Sequence, residues 1–223
     1  MAPLLLASGF TQGLNVLRET GNRVVGIPEL AGSLAGSRRP KKLRIRVVIL
    51  RDEQGRPVAK AEDVEPSIAN AQRVLREILA VDLVPAAEPM VRTLEIPAPA
   101  AALDSPCAEG SYKADFGPGG AFFRRHSERG GITGSGSPIT VFVVRDVLGK
   151  AGCSLGPLVD HVTVDMTALT GKRLRVLAHE LAHACGLPHS SAAENLMLPK
   201  GMGDRLQPWQ VAVFRSSRHV TYR

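Results

Sequence analysis

Between residues 179 and 189 the chain reads His179-Glu180-Leu181-Ala182-His183-Ala184-Cys185-Gly186-Leu187-Pro188-His189, and no other stretch restricts the fold as much. Histidines four apart share one face of a helix, one turn from each other, so His179 and His183 act together only if this segment is helical. Gly186 permits a left-handed turn, and Pro188 keeps the helix from resuming. The predicted arrangement is a helix over residues 174–185, a sharp reversal at Gly186, and His189 returning toward the first two histidines.

Three imidazoles gathered this way suit one zinc ion, whose catalytic sites use three protein ligands and leave a fourth position for water. Glu180 follows His179 directly, so its carboxylate can lie beside that water without ligating the metal and can serve as general base. The chain's own frequencies of His, Glu and Gly give a chance occurrence on the order of 10⁻⁵ for the whole pattern, which sets coincidence aside. The shorter His-Glu-x-x-His motif alone would be far weaker.

The remaining elements follow from periodicity. Residues 43–50 (LRIRVVIL) alternate apolar and basic side chains and then turn apolar, which predicts a first strand. Residues 66–80 carry apolar side chains at helical spacing, with Pro66 placed where a helix begins. Residues 81–84 and 91–96 are further strand material. From 97 to 138 the composition turns Pro-, Ala- and Gly-rich and predicts a long loop or insertion. Residues 139–144 (ITVFVV) and 162–166 (VTVDM) read as buried strands. A final helix over 208–217 offers Trp209, Val211, Val213 and Phe214 as apolar contacts. The order of strands and helices predicts an α/β or α+β domain with a mixed sheet.

HExxHxxGxxH followed by Asn195-Leu196-Met197 resembles the metzincin clan of zinc peptidases, whose third histidine is followed by a methionine turn. Ser190, directly after His189, resembles the matrixin branch, and residues 206–218 are similar to the C-terminal helix of small bacterial metzincins. The resemblance spans about residues 43–218. It implies a twisted mixed sheet with one long helix, an active-site helix, and a small C-terminal subdomain. The division expected is an extension over 1–42, serving as pro-segment or linker, then an upper part 43–186 and a lower part 187–223. It further implies one catalytic zinc on His179, His183 and His189, Glu180 as general base, Gly186 shaping the turn, and Met197 as an apolar floor. In such folds an edge strand binds the substrate as an added strand. By order this is the segment 149–157, with Gly152, Cys153, Ser154 and Leu155 as candidate contacts, an ordinary connecting loop being the alternative. Residues 198–207 would wall the pocket for the residue after the cut.

Departures are visible too. No His/Asp-rich structural metal segment is seen, no cysteine precedes Cys107, and no tyrosine stands two residues after Met197. Glu194 as third ligand, the gluzincin arrangement, sits too near His183. His126, His161 and His219 read as surface or structural histidines.

Composition adds limits. A formal charge of +7 raises the question of nucleic acid, but six basic residues fall within 38–46 and aromatic residues are only 4%. That run predicts a solvated linker, and nucleic-acid binding is not expected to be the main function. No apolar stretch reaches the roughly 20 residues needed to span a bilayer, so no membrane is expected. The expected partner is a protein or peptide substrate, and the expected state a monomer. Three cysteines leave two readings open, one bridge between Cys107 and Cys153 or three free thiols. Residues 1–10 lack the charged start and length of a signal peptide, although the resemblance implies secretion. The alternatives from other classes are a catalytically latent zinc-binding module and a basic nucleic-acid-binding protein that holds zinc.

Overall fold

The computed structural model describes residues 39–107, 113–128, 136–169 and 174–222. Most of the extension expected over 1–42, and Gly130, Gly131 and Gly134 of the stretch read as a loop, lie outside these residues.

Strand β1 (Lys41–Arg51) is the centre of the sheet. Leu43, Ile45, Val47 and Ile49 point to one face while Val48 and Leu50 point to the other, and all are buried, so the strand needs cover on both sides. Strands β2 (Val81–Pro85) and β3 (Val91–Pro97) run parallel to its successive halves. Strand β5 (Ile139–Val144) pairs parallel with residues 45–49, and β8 (His161–Asp165) pairs parallel with β5. Only β7 (Gly152–Ser154), antiparallel at the β8 edge, and β9 (Val220–Tyr222), antiparallel to β1, depart from that direction. Two residues of β4 (Asp104–Ser105) pair separately with β6 (Asp146–Val147). The fold is mixed α/β with a mainly parallel sheet.

Helix α1 (Ala61–Leu79) buries Val64, Ala71, Val74, Leu75 and Leu79 against one face of that sheet. It starts five residues before the sequence suggests, because the Lys60 N–H donates to the Asp63 carboxylate at 2.8 Å and caps the first turn. Pro66 therefore lies inside the helix instead of opening it.

The stretch read as a loop from 97 to 138 is partly helical. It holds α2 (Ala100–Leu103), α3 (Lys113–Phe116) and α4 (Pro118–His126). Its glycines serve packing here: a Cβ on Gly119 would stand 2.3 Å from the Ala101 carbonyl oxygen, and one on Gly120 2.2 Å from that of Asp115. These short helices cover the second face of the sheet, where Phe123 lies on Phe142 with ring centroids 4.8 Å apart.

The basic run is no linker. Lys41 and Lys42 are already in β1, and the Lys41 ammonium is buried, donating to the Arg215 carbonyl at 2.7 Å with the Tyr222 ring 4.3 Å away. Arg44 donates to the Gly136 carbonyl, and Arg46 pairs with Glu128. In a parallel strand covered on both faces, alternate cations are drawn into internal contacts.

The chain closes through α5 (Val176–Ala184), α6 (Pro208–Arg215) and β9. Of the four apolar residues assigned to the last helix, Val211 and Phe214 are buried, whereas Trp209 and Val213 are 44% and 39% exposed. Arg215 at its end is buried, and its guanidinium donates to the carbonyls of Leu79, Ala80 and Arg39. The cysteine alternatives resolve to one bridge, Cys107–Cys153, with a Cα separation of 5.7 Å, and a buried free Cys185 whose thiol burial pushes up to about 12. Among the described residues no helix is long and apolar enough to cross a membrane.

Candidate metal centre

Helix α5 is apolar on the side that meets the sheet, where Leu177, Ala178, Leu181 and Ala182 are buried. That orientation leaves His179, Glu180 and His183 to share the opposite side. The helix ends as the glycine predicts. Gly186 has φ +96, its N–H donates to the His183 carbonyl at 2.9 Å, and the Leu187 N–H donates to that of Ala182 at 3.0 Å. This paired arrangement, with a left-handed residue just past the helix, reverses the chain and carries His189 back.

The three histidines come together. Their ligand nitrogens all lie within 4.8 Å of one another, with His179 buried, His183 half-buried and His189 exposed. The His179 and His183 Nε2 atoms are 3.1 Å apart. Each Nδ1 faces a carbonyl, His179 on Leu196 at 2.7 Å and His183 on Leu187 at 2.7 Å. A carbonyl only accepts, so each Nδ1 carries a proton, and a neutral ring in that tautomer turns its Nε2 lone pair toward the other. Two facing lone pairs repel unless positive charge stands between them. Nitrogens sharing a tetrahedral zinc with bonds of 2.0–2.1 Å would be about 3.3 Å apart, close to the spacing seen. Burial pushes the His179 pKa down to about 4, opposed by its hydrogen bond to Leu196, which keeps the ring neutral and able to ligate near pH 7. The donor set therefore fits a zinc ion. Glu194 stays out of the group: its exposed carboxylate pairs with Arg205 at 2.9 Å.

Behind the histidines, residues 190–198 are held by their own backbone. The Ser190 N–H donates to the Met197 carbonyl at 3.0 Å, and the Met197 N–H donates to the Asn195 side-chain oxygen at 2.9 Å. Met197 is fully buried in the same core as α5.

Sequence reasoning missed the supports of this loop. Asn195 donates through its amide to Gln210 at 2.7 Å, both being buried, and so fastens the segment whose Leu196 carbonyl orients His179. Arg175, one turn before His179, donates to the carbonyls of Leu198 and Gly203. Its spacing of four from His179 was visible, but its acceptors are backbone atoms and leave no trace in sequence. Partners of a ligating histidine are worth 10- to 100-fold in metal affinity. Asn195→Ala is accordingly expected to weaken zinc binding by about tenfold or more, as read by competition with a coloured chelator.

The segment 149–157 contains the edge strand β7. Side chains alternate along it, so Gly152 and Ser154 share the side of α5 while Cys153 faces the second core, where Leu155 also packs. Of the four candidate contacts, then, two lie on the α5 side and two behind the strand, and a Cβ on Gly152 would run into the Glu180 side chain.

The other histidines are structural. His219 is buried with Nδ1 on the Ser137 carbonyl at 2.8 Å, and His126 rests on the Phe122 ring at 4.6 Å. His161 is buried beside Phe123, and burial pushes it down to about 4, with Asp115 pulling the other way. The unfolded chain protonates this ring near 6.5 and the folded one does not. Its contribution is thus complete above pH 6.5 and lost as pH falls toward 4, by about 3 kcal/mol at most. Urea melts of wild type and His161→Phe across that window should show a flatter acid decline in the variant.

No family model matches the sequence, and no curated relative does. Among solved structures, metalloproteinase-II from Bacteroides fragilis is 13% identical with a TM-score of 0.46, covering 76% of this chain and 49% of that one. The chain thus spans about half the length of that protein. Archaemetzincin from Methanopyrus kandleri is 14% identical with a TM-score of 0.41, covering 79% of this chain and 88% of that one.

Proposed function

We propose that the chain is a zinc-dependent endopeptidase of the metzincin type, cutting peptide bonds of protein substrates as a monomer. The observation that carries this reading is the convergence of three imidazoles, two of them with Nδ1 on a carbonyl and Nε2 turned inward, on the same helix and turn that carry Glu180. His179, His183 and His189 would hold one zinc ion. When bound, such an ion polarises a carbonyl and makes water acidic enough to attack near neutral pH.

The chain's own residues supply the rest. Glu180 accepts the proton of the attacking water and returns it to the leaving amine. Leu187 and Leu196 hold the ligand rings in one tautomer through their carbonyls. Met197 lies beneath as an apolar floor. The outer edge of β7 pairs with no strand among the described residues, and an extended peptide can lie along it as an added strand. The segment 198–207 would wall the pocket beyond the cut.

Lys41, Arg44 and Arg46 of β1 are spent on internal partners, which weighs against a nucleic-acid surface there. The Cys107–Cys153 bridge supports an oxidising compartment, in line with the export that the sequence resemblance implies. The test is cleavage of a mixed peptide library by the zinc-loaded protein beside a chelator-treated sample. Cuts that vanish with the chelator and return with zinc support the reading. A zinc-loaded protein that cuts nothing would favour the latent zinc-binding module.

A further inference from the structure

We propose that Gly152 is a positioning residue for Glu180, and that the missing side chain at 152 is a requirement of the site and not of the strand. This rests on the reading of Glu180 as general base.

A glycine inside a strand is costly and needs a reason. Backbone conformation does not supply one, because the glycines with positive φ are Gly55, Gly136, Gly149, Gly156 and Gly186 among the described residues. Pairing does not either: Gly152 sits opposite Val164 in a regular antiparallel register, where a β-branched residue would serve better. What is lacking is room. A Cβ at 152 would stand 2.7 Å from Cγ of Glu180, 3.0 Å from its Oε1 and 3.0 Å from Cγ1 of Val176. All three atoms are side-chain atoms on consecutive turns of α5, so the strand lies flat on the carboxylate-bearing side chain.

Neither partner can back away. Leu177, Ala178, Leu181 and Ala182 are at most 1% exposed and pin α5 against the sheet, and Glu180 itself is only 6% exposed. The strand is anchored from behind by Cys153 through its bridge to Cys107. A methyl group at 152 must therefore push the Glu180 side chain out of its place. Gly152 thus limits where the Glu180 carboxylate can stand.

The experiment compares the zinc-loaded protein with Gly152→Ala, each in the wild-type and the Glu180→Ala background. Misplacing a catalytic group by about 1 Å costs on the order of 100-fold. In the wild-type background Gly152→Ala is expected to lower kcat by roughly 10- to 100-fold, with KM, Tm and zinc content little changed. In the Glu180→Ala background, which has no Cγ or carboxylate left to displace, the same substitution should change the residual kcat by less than about threefold. A purely structural role predicts a lowered Tm and equal losses in both backgrounds, and that result overturns the proposal, as does unchanged kcat. If the wild-type protein cuts no peptide, the peptidase reading fails by itself. Crystal structures of the metal-free wild type and Gly152→Ala then decide the placement: a displaced Glu180 carboxyl upholds it, and an unmoved one overturns it.

Discussion

Replacing Glu180 by alanine is expected to lower kcat on peptides by about a thousandfold while leaving one zinc per chain. The size follows from what a positioned general base contributes, 10²- to 10⁴-fold. The retention of zinc follows from the geometry, since the metal group consists of His179, His183 and His189 only. Activity and metal content therefore separate in this variant, whereas His183→Ala should lose both. Steady-state kinetics and metal analysis on one preparation check both halves. Activity within tenfold of wild type would remove Glu180 from the mechanism.

The second large effect concerns stability. The Cys107–Cys153 bridge closes a loop of 46 residues and joins the helical layer over the second core to the strand beside Glu180. A cross-link of that span lowers the entropy of the unfolded chain by an amount worth about 4 kcal/mol. For a domain of this size that corresponds to a Tm lower by roughly 10 °C in Cys107→Ala/Cys153→Ala. Differential scanning calorimetry measures it. A drop below about 1 kcal/mol would mean that the packing of Phe123 on Phe142 holds this layer without the bridge.

How much of this was open to a reader of the sequence depended on how local each feature is. The three histidines and Glu180 fall within eleven consecutive positions, and helical spacing plus one glycine places them all. Strand β5 was legible because burial on both faces leaves a nearly unbroken apolar run, and β1 and β8 because apolar side chains alternate with basic or polar ones. What failed was non-local. The glycine at 119 announced a loop and instead admits the carbonyl of Ala101 on a preceding helix, a use its own neighbours do not reveal. Lys41 looked solvated because nothing in its neighbourhood reveals that the Arg215 carbonyl and the Tyr222 ring receive it. The Asn195–Gln210 bond and the Gly152–Glu180 contact are invisible for the same reason. Pro66 misled because its preference for a first turn was read as a boundary, while the Asp63 cap three residues earlier had already started the helix.

The buried guanidinium of Arg215 has a consequence for how this molecule opens. One side chain joins the end of α1 at Leu79 and Ala80, the root of β1 at Arg39, and the last helix, while Lys41 returns a bond to the Arg215 carbonyl and β9 pairs with β1. The two ends of the described region are thereby latched at a single point. Fraying from either terminus has to break the same bonds, so amide protons near 41–43, 80–81 and 216–222 should exchange as one cooperative unit, with a common opening free energy, and not as two loose tails.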